Sequence, residues 1–248
     1  MKSIVKGLVR EFTNMNFVTK LIRKILFGHR ASSDDYINFL KSKGAAIGVG
    51  VKIFSPNHTF IDELFPFMLS IGDNVNITSG VHILNHDYSW AVLKSKYNTV
   101  LGGVGSVSIG NNVFIGVNSI ILMNSEIGDN VIVGAGSVVH GKIPSNCVVA
   151  GSPAKVVCSI EEFFEKRKKR QYSEAVQIVK KYRARFKTNP PKESLPAYFF
   201  LFEPRENLTN PVFVSRLKAS GNYEKSLNEF MSSLPMFESY EDFLKSID

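Results

Sequence analysis

From Ile109 to Ile143 the apolar positions recur every six residues. The chain reads IGNNVF, IGVNSI, ILMNSE, IGDNVI, VGAGSV, VHGKIP, and Ile or Val opens each unit. A unit this short cannot bury a core by itself, so it is stable only when stacked on its neighbours. The opening residue therefore faces inward. Gly, Asn and Asp crowd the second to fourth positions, where a tight corner needs backbone that tolerates positive φ. The pattern predicts a solenoid of short strands separated by corners. The same phase runs upstream through Ile47, Ile53, Phe65, Ile71, Ile77 and Ile83, with Thr59 as its polar interruption. The 26 residues from Ile83 to Ile109 equal four hexads plus two, so segment 84–108 is expected to leave the coil and rejoin it.

On both flanks the period becomes helical. Residues 1–44 carry Ile4, Val5, Leu8 and Phe12, then Val18, Leu21, Ile22 and Ile25, at amphipathic spacing, with Lys6, Arg10, Lys20, Arg23 and Lys24 among them. Such helices can plug the end of a solenoid. A basic amphipathic helix can also rest on an anionic bilayer, a peripheral membrane contact. The solenoid is expected over 45–157, ending in VVAGSPAKVV, where Pro153 interrupts strand pairing. Residues 158–248 form a helical extension. Ile160, Phe163, Phe164, Tyr172, Val176, Val179 and Phe186 mark one face of a long helix that should break before Pro190 and Pro191. LPAYFFLFEP, VFVSRLKAS and YEKSLNEFMSS predict further short helices packed on the solenoid or on a neighbouring subunit.

Composition narrows the setting. At 248 residues and 44% hydrophobic content the chain can bury a substantial core. Cys147 and Cys158 belong to no paired framework and read as packing residues of a reducing compartment. No apolar run approaches the roughly 20 residues of a membrane span, and a signal-peptide core and cleavage site are lacking, so a cytoplasmic location, at most peripheral at the inner membrane face, is expected. The net charge of +8 gathers in residues 1–30, in Lys166 to Arg170, and in Lys180, Lys181, Arg183, Arg185 and Lys187. These read as solvated helix faces; without an accompanying motif, nucleic acid is not an expected partner.

The sustained hexads and the closing GSPAK sequence resemble the hexapeptide-repeat acyltransferases over residues 36–158. That resemblance implies a mainly β fold, a left-handed parallel β-helix with three hexads per triangular coil, flanked by N-terminal helices and the C-terminal extension. The hand comes from the family, because ordinary parallel crossovers are right-handed. His86 follows the register break immediately, on a loop, and imidazole is the side chain best suited to take a proton near neutral pH. Its surroundings, IGDNVNITSGVHILNHDYSW, resemble the segment bearing the active-site histidine in O-acetyltransferases of the xenobiotic, maltose and surface-glycan branches. The resemblance makes His86 the base that deprotonates an acceptor hydroxyl for direct attack on acetyl-CoA.

Further roles follow from the same resemblance. Asn57, Asn85, Asp87, Tyr88 and Trp90 fall on the acceptor side; Asp87 reads equally as an imidazole partner and as a turn residue bonding its own backbone. Gly116 and Val117 would meet the thioester of acetyl-CoA, Gly134 and Ala135 the pantetheine, and His140 and Lys155 the phosphates or adenine. Met123 and Asn124 stand where the family has a proline–glycine corner, and Asn tolerates the left-handed turn. The family is trimeric, so a homotrimer with active sites between subunits and a glycan acceptor are expected. No metal is expected: the carbonic anhydrases of this fold hold zinc on three histidines, and His82 and His86 have the wrong spacing for it. A non-catalytic trimeric scaffold is the other alternative. Among acetyltransferases the acceptor stays open between a capsule, O-antigen or other surface-polysaccharide sugar and a small xenobiotic such as an antibiotic; DDYINFLKSKGAAIG and ILNHDYSW look closer to the surface-glycan branch.

Overall fold

The computed structural model describes residues 17–219 and 221–247; Ile4, Val5, Leu8 and Phe12 lie outside them. The chain forms two compact units, Asn16–Phe164 and, in its C-terminal part, Glu165–Asp248. The first is the solenoid, a left-handed β-helix. Its coils are β1 (Ala46–Ile47), β2 (Lys52–Ile53), β3 (Phe60–Ile61); β4 (Leu69–Ile71), β5 (Asn76–Ile77), β6 (His82–Ile83); β7 (Val107–Ile109), β8 (Phe114–Ile115), β9 (Ile120–Ile121); and β10 (Ser125–Ile127), β11 (Val131–Val133), β12 (Val138–Val139). A last partial coil, β13 (Lys142–Ile143) and β14 (Cys147–Ala150), is closed by β15 (Lys155–Ser159) running antiparallel to β14, with Pro153 in the intervening turn. Every third strand stacks in parallel register, giving three sheets: β1-β4-β7-β10-β13, β2-β5-β8-β11-β14 with β15 at its edge, and β3-β6-β9-β12.

Each hexad buries two positions, not one. Beside the opening Ile or Val, the residue two places before it also points inward: Val113 with Ile115, Ser119 with Ile121, Ser125 with Ile127, Val131 with Val133, Ser137 with Val139, all essentially inaccessible. The serines satisfy their hydroxyls on corner carbonyls, Ser119 and Ser137 on Gly134 at 2.9 and 2.6 Å. The corners need left-handed backbone. Asn74, Asn112, Asn130 and Asn146 hold φ of 56°, 54°, 55° and 61° along one edge, and their amides stack: Asn112 Nδ2 donates to Asn130 Oδ1 at 2.8 Å and Asn130 Nδ2 to Asn146 Oδ1 at 2.9 Å. Asn124 takes φ 61°, so the coil passes through Met123–Asn124 intact.

The upstream phase needs correction. Eight residues separate the inward Ile53 and Ile61, and ten separate Ile61 and Ile71. The corners thus hold two and four extra residues, together one hexad, which restores the phase and makes Phe65 look inward when it sits in a corner. Thr59 does not break the series: it is 1% exposed and fills the second inward position of its strand. Downstream, Glu126 pairs with Lys142, so the last coil is two residues short and Ile143, four residues after Val139, faces inward.

Helix α1 (Phe17–Phe27) and a 3-10 turn (Gly28–Arg30) lead into α2 (Ser33–Ser42). The Ser32 hydroxyl caps α2 by accepting from Asp35 N. Tyr36, Ile37 and Leu40 join the solenoid core, and the Tyr36 hydroxyl donates to Ile61 O and accepts from Ile61 N, both at 3.2 Å. Helix α2 therefore plugs the first coil. The insertion contains α3 (Trp90–Tyr97), followed after the solenoid by α4 (Ile160–Phe186), α5 (Pro211–Lys218), α6 (Tyr223–Ser232) and α7 (Tyr240–Lys245). Helix α4 stops before Pro190 as expected, but its buried residues are Ala175 and Val179, while Phe164 and Phe186 are exposed. The short helices build a core of their own: Phe199 stacks on Phe213 at 5.0 Å and Phe202 on Phe243 at 5.4 Å.

Candidate active site

The inserted loop leaves the coil directly after β6 and returns before β7. Its two ends run antiparallel: Asp87 N donates to Gly103 O at 3.1 Å, Gly105 N to Asn85 O at 2.8 Å, and His86 bridges Val104. The return strand presses against the following coil at Gly105, where an added Cβ would stand 2.2 Å from Asn124 Oδ1. His86 is thereby fixed at the foot of the loop, on the edge between the β3-β6-β9-β12 sheet and the β1-β4-β7-β10-β13 sheet.

Its Nδ1 is hydrogen-bonded to Oδ2 of Asp62. Asp62 lies one coil earlier, immediately after β3, with its side chain 2% exposed. The carboxylate is held in turn by two backbone donors, Leu64 N to Oδ1 at 3.0 Å and Asn85 N to Oδ2 at 3.2 Å. Phe65 and Tyr88 meet the imidazole edge-to-face at 6.0 and 5.3 Å. A histidine bound through Nδ1 to a buried carboxylate has its tautomer set, leaving Nε2 as the proton acceptor. The imidazole keeps about a fifth of its surface exposed, enough to be approached.

Sequence reasoning did not find Asp62. It lies 24 residues from His86, in a stretch whose apparent hexad phase was fortuitous, and only stacking of successive coils makes them neighbours. The turn reading of Asp87 prevails: its Oδ1 accepts from Ser89 N at 2.9 Å and Ser89 Oγ at 2.6 Å. Those Ser89 hydrogen bonds hold the Asp87 carboxyl below its ordinary range. Asn85 is buried, its Nδ2 donating to Phe65 O at 2.7 Å while Oδ1 has no partner, so it braces the corner beneath His86. Tyr88 is exposed, with its ring 6.0 Å from that of Trp90 at the start of α3.

The remaining candidates divide between two edges. Gly116, Val117, Gly134 and Ala135 occupy successive corners between the β2-β5-β8-β11-β14 sheet and the β3-β6-β9-β12 sheet, with Asn57 on the same edge in the first coil. Gly116 has no room for a side chain, since a Cβ would stand 2.5 Å from Ala135 N; backbone is all this corner presents. His140 follows β12 on the His86 edge, two coils along, about 10 Å at ordinary strand spacing. Lys155 opens β15 and is exposed. Within one chain, a sheet separates His86 from the Gly116–Ala135 corners. No group of three His, Cys, Asp or Glu side chains suited to a metal occurs among the described residues.

Stacked hexads closed by an antiparallel strand, with a carboxylate-bound histidine at the foot of an inserted loop, define a hexapeptide-repeat acyltransferase as the class. The comparisons agree. The family described as bacterial transferase hexapeptide (six repeats) matches residues 106–141. Protein CapG of Staphylococcus aureus is 38% identical over 145 residues, which cover 58% of this chain and 80% of CapG. YvoF of Bacillus subtilis is 37% identical over 44% of this chain, and galactoside O-acetyltransferase of Escherichia coli 35% identical over 49%. The chain spans 58% of the length of each of these two. The chain belongs to the bacterial hexapeptide-repeat transferases.

Proposed function

We propose that this protein is an acetyl-CoA-dependent O-acetyltransferase that modifies a sugar hydroxyl of a surface polysaccharide, a capsule or an O-antigen, with His86 as general base. The observation that carries the reading is the hydrogen bond from the His86 imidazole to the buried Asp62. A sugar hydroxyl is a weak nucleophile and needs a base within hydrogen-bond reach at the moment of attack. His86 takes the hydroxyl proton at Nε2 as the oxygen bonds to the thioester carbonyl carbon. The carbon–sulfur bond then breaks, the sulfur leaves with a proton as free thiol, and the acetyl ester is the second product. Asp62 orients the ring and offsets the charge of the imidazolium. Backbone N–H groups of the coil stabilise the oxyanion.

Gly116, Val117, Gly134 and Ala135 serve as the donor edge: small residues let pantetheine approach the backbone, whose free groups pair with its amides. Lys155 and His140 answer the phosphates and adenine. A closed homotrimer unites the two halves by setting the His86 edge of one chain against the Gly116 edge of the next. Tyr88 and Trp90 offer stacking surfaces to a sugar ring, Asp87 and Asn57 offer polar contacts, and Asn85 supports the base. Galactoside O-acetyltransferase, a relative by sequence, is named for a sugar acceptor, which favours a glycan over a small xenobiotic.

The test is release of CoA thiol from acetyl-CoA by wild type and His86→Ala, with a panel of surface polysaccharides and small hydroxyl-bearing antibiotics. Polysaccharide-dependent release that the substitution abolishes is expected. Release with the small acceptors alone assigns the xenobiotic reading, and failure to bind acetyl-CoA overturns the activity.

A further inference from the structure

We propose that helix α1 docks the protein on an anionic lipid surface. Every third or fourth residue of α1 is apolar: Val18, Leu21, Ile22, Ile25 and Leu26 form one contiguous arc at 100° per residue, and Thr19, Lys20, Arg23 and Lys24 occupy the other. The apolar arc faces solvent. The five side chains are 60%, 49%, 50%, 76% and 67% exposed, a continuous patch that a soluble surface rarely presents without a partner.

The basic side, by contrast, is tied to the body. Arg23 Nε donates to Ala31 O at 2.9 Å and its guanidinium lies 5.5 Å from the Phe27 ring, while Lys24 pairs with Asp35 at 3.4 Å. The helix is thus held with its apolar arc outward. Capping does not explain it, because α2 already covers the first coil through Tyr36, Ile37 and Leu40.

Charge selects the occupant. No acidic residue occurs from Phe17 to Ser33, where Lys20, Arg23, Lys24 and Arg30 stand, and the preceding segment adds Lys2, Lys6 and Arg10 against Glu11. Lys20 is exposed, and Lys24 keeps two thirds of its side chain in solvent despite its ion pair. Lys24 flanks the apolar arc, where a long cationic side chain reaches lipid phosphates while the arc enters the acyl boundary, and Lys20, on the far side of the helix, adds to the attraction for an anionic surface. A second copy of this chain would bring the same cations together, an arrangement that repels. No described helix is long and apolar enough to cross a membrane, so the contact is peripheral.

The experiment is co-sedimentation of the full chain with vesicles of phosphatidylcholine, alone or with about one third phosphatidylglycerol. Wild type should pellet with the anionic vesicles and not with the neutral ones, and salt should weaken the binding. Leu21→Asp with Ile25→Asp should lower partitioning at least about tenfold, and Lys20→Glu with Lys24→Glu by a smaller factor, without change in oligomeric state by light scattering. Absence of binding by wild type, retention of binding by the Asp variant, or a change in its oligomeric state would each overturn the proposal, the last by making α1 a contact between subunits.

Discussion

At the residue scale the proposed chemistry turns on a side chain that the sequence names and another that it hides. His86 is conspicuous because the hexad register fails immediately before it. Asp62 is not, since nothing local distinguishes it from a turn aspartate. If Asp62 orients the base, Asp62→Asn should lower kcat by about a hundredfold or more with little change in the KM for acetyl-CoA. His86→Ala should cost at least as much, and the double variant no more than His86→Ala alone, because the two side chains act as a unit. Steady-state thiol release checks this; additive losses would separate Asp62 from the base. The neighbouring Glu63 is partly buried, which raises its pKa, but hydrogen bonds and charge from Arg30, with His29, outweigh burial and leave it below the ordinary value of 4.5. A depressed carboxyl contributes stability above its unfolded pKa and loses it as pH falls through the folded one. Acidification below that ordinary value should therefore destabilise wild type more than Glu63→Gln, a difference to be read from denaturant melts at successive pH values.

At the element scale the corners carry as much information as the strands. Asn130 combines left-handed backbone with two amide bonds along the edge. Asn130→Ala should destabilise the solenoid by about 2 kcal/mol, and Asn130→Gly by less, because glycine keeps the conformation and loses only the amides. Thermal or urea melts distinguish the two. Gly116 answers a different demand, the close approach of the next corner. Gly116→Ala should disturb the stacking of two coils and raise the KM for the donor, the alanine methyl having only 2.5 Å to Ala135 N. An unchanged KM would detach this corner from donor binding. The hexad series was legible from Ile109 to Val139 because its spacing there is regular. It misled around Phe65 because two irregular corners of two and four extra residues happen to sum to six, and periodicity alone cannot distinguish a hexad from a pair of insertions of that total length.

For the whole molecule, the proposed base and the proposed donor corners lie on opposite sides of one sheet in a single chain. A shared site predicts complementation. Chains carrying His86→Ala and Lys155→Glu, each impaired alone, should regain activity when co-expressed, with about one quarter of sites intact in random trimers. Recovery at that level, measured against wild type at equal protein, supports a site between subunits, and none would confine the site to one chain. The N-terminal helices show why an amphipathic pattern is an incomplete instruction. Helices α1 and α2 both have an apolar side, but only that of α2 enters the core, and spacing alone does not say which surface a helix will meet.

By itself the sequence determined the repeat, the opening inward position of each hexad from Ile109 to Val139, the expulsion of the loop and the histidine at its foot. All of these are local, set by periodicity and by what a tight corner tolerates. The family resemblance supplied the hand. Tertiary structure decided the rest: that Asp62 reaches His86 across one coil, that Asp87 bonds Ser89 instead, and that Thr59 and the corner serines belong inside. It also separated the plugging helix from the exposed one. Apart from the Asp87 turn, which is local, these depend on which elements pack on which, a relation between distant residues that no pattern within one hexad records.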